Sequence, residues 1–145
     1  MLRHHRSMLG VTLLEIMLVL AIAGMIIVMS VRYYQSASSA NQSNTVLQQA
    51  QAIIAAEEST VQTYAAYQPS TSTNLTNILP KNALTTPWGT TIVVTTTGST
   101  FTMSFPSVPT SVCPSFNAAM VANSRITVSS GSCGAAASTM DYLYQ

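Results

Sequence analysis

The chain has 145 residues, enough for one domain plus an anchor. Asp, Glu, Lys and Arg make up 6% of it, against about 25% in ordinary soluble domains, and the net charge is +1. With Arg3 and Arg6 near the start and both histidines at positions 4 and 5, the rest of the chain carries Arg32, Lys81 and Arg125 as its cations, which excludes a basic nucleic-acid surface and an imidazole-based active site beyond residue 10.

Residues 1–10 are basic and free of acids, so the positive-inside bias keeps them cytoplasmic. An apolar run then extends from Val11 to Val31, long enough as a helix to cross about 30 Å of hydrocarbon with the C-terminal side outward. Glu15 interrupts this run. A carboxylate deep in a membrane costs roughly 2.5–3.5 kcal/mol even on the lenient insertion scale, so it calls for a positive partner. Arg32 lies more than four turns away, and a cut after Gly10 would supply the charge as the free amine of Val11. Two other readings stand beside this one. Thr12 and Glu15 have capping-box spacing, a role that is compatible with pairing to a neighbour. Ala21-Ile22-Ala23 has the look of a conventional signal-cleavage site, although apolar residues continue past it through Met25-Ile26-Ile27-Val28-Met29.

The sequence Gly10-Val11-Thr12-Leu13-Leu14-Glu15, followed by the apolar stretch to Gly24, resembles the class III signal and N-terminal helix of type IV pilins. That resemblance implies cleavage after Gly10 by a membrane-embedded prepilin peptidase, N-methylation of Val11, and pairing of Glu15 with the terminus of a neighbouring subunit. Val11 stands where the type IVa branch commonly has phenylalanine, and Tyr33-Tyr34-Gln35-Ser36-Ala37-Ser38 continues like the helix of type IVb pilins, although a ten-residue leader is short for that branch. The resemblance also implies a long helix packed on a small antiparallel sheet, an α+β pilin fold. Where pilins lose helix inside the filament around a glycine and a following proline, this chain has Gly24 but Arg32 near the proline position, leaving Gly24 with Ile26, Ile27 and Val28 as the point of flexibility.

From Arg32 to Gln68 there is neither proline nor glycine, and the helix is expected to continue as a spine whose stripe Val46, Ala50, Ile53, Ile54, Val61 and Tyr64 faces a head. Ser36–Asn44 is its weakest stretch. Glu57 and Glu58 interrupt the stripe; at most one of them can face the head while the other faces solvent or another subunit, and the two readings are a solvated helix face or a subunit contact with Arg32, Lys81 or Arg125. Pro69 is expected to end the helix and open a loop into the head, residues 69–145.

Pro87-Trp88-Gly89 reads as a turn with an aromatic anchor, and it also resembles the turn before the sheet in type IVb pilins and in type II secretion pseudopilins. Thr91–Thr97, Gly98-Ser99 and the alternation Phe101, Met103, Phe105 predict a hairpin with one apolar face. Pro106, Pro109 and Pro114 are expected to break the chain. Phe116–Val121 then reads as a short helix, Arg125–Ser129 as a third strand through Ile126 and Val128, and Met140, Tyr142 and Tyr144 as the lining of a fourth.

Cys113 and Cys133 suit a disulfide in an exported chain; the alternatives are two buried thiols or, with half its ligands missing, a zinc site. By resemblance, residues 113–133 lie on the outside of a filament and bear receptor contact. No cofactor or metal site is expected, and no enzymatic role, since four carboxylates with one adjacent pair cannot flank a substrate. The function implied is a structural pilus subunit: anchored in the inner membrane, recruited by its assembly machinery, and polymerised with its own copies into an extracellular filament. The alternatives are a pseudopilin of type II secretion and a secreted soluble binding domain.

Overall fold

Fourteen large apolar side chains between Leu13 and Val31 and a four-stranded sheet behind a second set of apolar residues divide this chain into two parts. The computed structural model describes residues 12–134 and 136–145, arranged as two compact units that divide between Ala37 and Ser38. Helix α1, Leu13–Tyr64, runs unbroken through Gly24 and through the Ser- and Asn-rich Ser36–Asn44 stretch expected to be weak. Ser43 there is buried at the start of the stripe, and the Thr45 hydroxyl donates to the Asn41 carbonyl one turn back, which spends it inside the helix.

In the second unit the stripe is Ser43, Val46, Ala50, Ile53, Glu57 and Thr60, alternating steps of three and four. Two expectations are corrected here. Glu57 does not interrupt the stripe but occupies it, because it falls four residues after Ile53. Tyr64, expected on the stripe, is half exposed although it falls four residues after Thr60: it is the last residue of α1, and the chain turns at Ala65 directly after it.

The helix also ends four residues before the expected Gln68. Ala65 takes a left-handed conformation (φ 57°) while its N–H still reaches the Val61 carbonyl, and the chain turns there without help from Pro69. The segment read as a loop contains a short helix, α2 (Thr73–Ile78), started by the Ser72 hydroxyl, which accepts from the Asn74 N–H at 3.3 Å.

Strands β1 (Val93–Thr97) and β2 (Thr100–Val108) form the expected hairpin, with Thr97 opposite Thr100 across Gly98-Ser99 and Gly98 at φ 62°. Pro106 does not end β2. It lies at an irregularity between Phe105 and Val108, where Ser107 has φ 54° and the Pro106 carbonyl accepts from the Trp88 indole N–H and the Thr90 hydroxyl, each at 2.9 Å. Trp88 therefore anchors its turn, as expected. Helix α3, Cys113–Val121, places Pro114 in its first turn, where a missing N–H costs nothing.

Strands β3 (Ile126–Ser130) and β4 (Ser138–Tyr144) complete an antiparallel sheet of order β1-β2-β4-β3. The C-terminal strand lies in the middle. On edge strand β3, Ile126 is buried and Val128 is largely exposed, so β3 offers the core one side chain rather than two.

The core lies between the sheet's inner face and the α1 stripe, with α3 covering one end. Phe105, Phe116 and Tyr142 meet edge to face, with centroids 5.0–5.9 Å apart, and Phe101 stacks on Tyr144 at 4.9 Å. Cys113 and Cys133 form a disulfide, Cα–Cα 5.6 Å, tying the start of α3 to the chain after β3. Neighbouring Gly131 has φ 93°, and a Cβ there would strike the Thr139 carbonyl oxygen.

Two outcomes follow for the second unit. Reducing the disulfide, which closes a loop over a sequence separation of 20 residues, is expected to lower stability by about 3 kcal/mol in denaturant titrations of the oxidised and reduced chain. Gly131→Ala is expected to lower the thermal midpoint even with the disulfide intact, and an unchanged midpoint would contradict the crowding at Thr139.

Candidate functional site

In the first unit every described residue from Thr12 to Ala37 is exposed, and an 18-residue window has a mean hydropathy of 2.6 with none of it buried. Length and composition suffice to cross a membrane, a property that signal sequences share. Large apolar side chains point in every direction around the helix, from Leu13 (76% exposed) to Val31 (50%), so the segment has no polar face to turn to water.

Glu15 lies in the first turn of α1. Its backbone N–H meets the Thr12 carbonyl at 3.0 Å and the Thr12 hydroxyl at 3.3 Å, so Thr12 caps the helix. The reciprocal half of a capping box is not made: among the described residues the Glu15 carboxylate has neither a hydrogen-bond nor an ion-pair partner. Gly10 and Val11, the expected cleavage site and mature terminus, lie outside the described residues. Gly24 sits within the helix with open space around it.

The three other carboxylates are all engaged by the second unit. Glu58 accepts from Arg125 Nη1 at 3.0 Å and from the Tyr144 hydroxyl, which also accepts from Arg125 at 2.8 Å. Of the cations expected as subunit partners for this pair of acids, Arg125 thus meets Glu58 within one chain. Burial and the hydrogen bond to Glu58 raise the Tyr144 phenol above its ordinary value. Asp141 accepts from the Ser104 hydroxyl on the outer face of the sheet.

Glu57 is the unusual one. It has no exposed surface, its Oε2 accepts from the Gln68 N–H at 2.9 Å and from the Thr60 hydroxyl at 3.3 Å, and its Oε1 has no partner among the described residues. The Gln68 bond ties the turn after α1 back onto the helix. Burial raises its pKa, and the two hydrogen bonds offset only part of that. Sequence reasoning allowed one of Glu57 and Glu58 to face the head without saying which; the three-and-four spacing from Ser43 picks out Glu57.

Among the described residues no three His, Cys, Asp or Glu side chains gather as a metal site. In comparison with known proteins, no family model matches this chain and no curated sequence matches it.

The native state holds the Glu57 proton to higher pH than the unfolded chain, whose ordinary value is 4.5. Stability is therefore expected to be greatest below that value and to fall as pH rises through the raised native one. Chemical denaturation across this range is the measurement: Glu57→Gln, which keeps an acceptor for Gln68, should flatten the profile, and an identical slope in the variant would assign the dependence elsewhere.

Proposed function

We propose that this chain is a structural subunit of a type IV pilus, made as an inner-membrane prepilin, cleaved after Gly10 and polymerised into an extracellular filament. The observation that carries the reading is Glu15: a carboxylate without a partner among the described residues, at the head of a helix segment exposed on all sides. An amine at Val11 of a neighbouring copy has the charge to neutralise it. The α+β layout, with a long helix on a four-stranded sheet and a disulfide between Cys113 and Cys133, supports the same reading.

In the inner membrane lipid solvates the apolar segment, and pairing of Glu15 with an incoming terminus favours docking at the filament base. Once drawn from lipid, the segments bury one another. Fourteen large side chains at least half exposed, at about 1.5–3 kcal/mol each, amount to a driving force on the order of 20–40 kcal/mol, so a filament of such stems needs no covalent bond between its subunits. Prepilin peptidase and the assembly machinery are the partners this implies, with motor activity supplied from outside the subunit. Residues 113–133 are proposed as the filament's exposed region and receptor contact.

The test is the intact mass of the exported protein. Cleavage after Gly10 with one added methyl is expected, whereas a terminus near Gly24 would mark a conventional signal and end this reading. Glu15→Ala and Glu15→Gln are expected to leave the membrane-inserted subunit intact but to remove surface filaments, scored by microscopy and by shearing; normal filament yield with either variant would remove the assigned role of Glu15.

A further inference from the structure

The aromatic side chains of the second unit mostly serve its core: Phe101, Phe105, Phe116, Tyr142 and Tyr144 are buried, and Tyr67 and Trp88 pack against them. Two in the first unit do the opposite. Tyr33 is 79% exposed and Tyr34 is 74% exposed, directly after Arg32 and the end of the apolar run. Adjacent helix positions diverge by about 100°, so Arg32, Tyr33 and Tyr34 spread around a wide arc of the helix. An environment that surrounds the helix can meet all three.

The run from Thr12 to Val31 rises about 30 Å at 1.5 Å per residue, one hydrocarbon thickness, before Arg32 begins. Tyrosine suits the layer just beyond, where its ring lies among glycerol and carbonyl groups and its hydroxyl meets water. Arg32, the one cation among the described residues of this unit, has the charge and fork geometry for a lipid phosphate. Both rings also wall an open furrow with Met29, Ser30 and Ala37, placed where the first methylenes of an acyl chain would lie.

We propose that Arg32, Tyr33 and Tyr34 form a collar that binds the headgroup layer of a phospholipid bilayer and fixes the depth of the α1 anchor. This rests on the membrane-anchored reading above and adds to it a lipid-contact site. The rings would leave that layer only when the subunit is extracted into a filament.

The full chain is reconstituted in vesicles of phosphatidylcholine and phosphatidylglycerol whose acyl chains carry bromine either near the carbonyl or near the methyl end. Trp88 is the only tryptophan in the sequence, so the unsubstituted chain gives the background. Tyr33→Trp and Tyr34→Trp, both at exposed positions, are each expected to add an emission component quenched more strongly by the shallow bromine than by the deep one. If the chain sediments with vesicles and resists carbonate extraction but neither variant gains quenching, the helix is anchored and the collar is wrong; the rings then belong to contacts between subunits. Strongest quenching by the deep bromine overturns the collar as well. Failure to sediment at all overturns both the collar and the membrane anchor.

Discussion

The apolar surface of α1 before Arg32 has no cover among the described residues. Removing the fourteen exposed large side chains of Leu13–Val31 from water is worth on the order of 20–40 kcal/mol at ordinary transfer values, a gross term of the same order as burial of the second unit's core. The surroundings of the helix therefore decide where the protein can exist, and the fold of the second unit cannot. Lipid answers that demand, and so does a bundle of like helices. Water does not.

Against this, the second unit works with few charges, and its own chain engages each carboxylate it has. Glu58 joins Arg125 and Tyr144, linking α1 to the residue before β3 and to β4; Asp141 takes the Ser104 hydroxyl across β2 and β4. Glu57 lies in the apolar stripe and trades a solvated charge for a hold on the Gln68 backbone. The exposed ion pair Glu58–Arg125 is screened by solvent and contributes little, so the unit's stability rests on the aromatic core and the disulfide. Glu15 stands apart because the described residues provide it with no such arrangement.

Much of this architecture is legible in the residue order, and the reasons differ by element. The hairpin is readable because β-branched residues, Gly98-Ser99 and alternating Phe101, Met103 and Phe105 agree on one register. Strand β4 follows from the alternation of Met140, Tyr142 and Tyr144, but its central place in the sheet does not, since pairing partners are set by long-range packing. The early end of α1 depends on one backbone conformation at Ala65, a residue whose helix propensity argues the other way. Pro106 stays in β2 because an irregularity there exempts it from a ladder bond while its carbonyl serves Trp88 and Thr90. That one of Glu57 and Glu58 can face the head is legible; that Glu57 is the one follows from its spacing after Ile53, which residue type obscures. For the first unit the pattern of apolar residues is the structure, and Glu15 is conspicuous in both.

On the proposed reading, the apolar surface and the carboxylate have separate tasks because the two solvents ask for different things. Within a bilayer, lipid tails are as apolar as leucine, so an apolar helix gains no hydrophobic free energy by leaving lipid for a neighbour, and association draws on packing and polar contacts instead. Glu15 is the carboxylate in the described apolar segment, and it supplies a charged contact at a single depth, which fixes the axial register between copies. After extraction the balance reverses: burial of apolar surface then dominates the energy of association, but it is non-directional and tolerates sliding. A desolvated charge pair does not tolerate sliding, because breaking it leaves an uncompensated buried charge at a cost of about 3–5 kcal/mol. The acid thus selects the arrangement while the pair is in the membrane, and the oily surface then makes that arrangement strong.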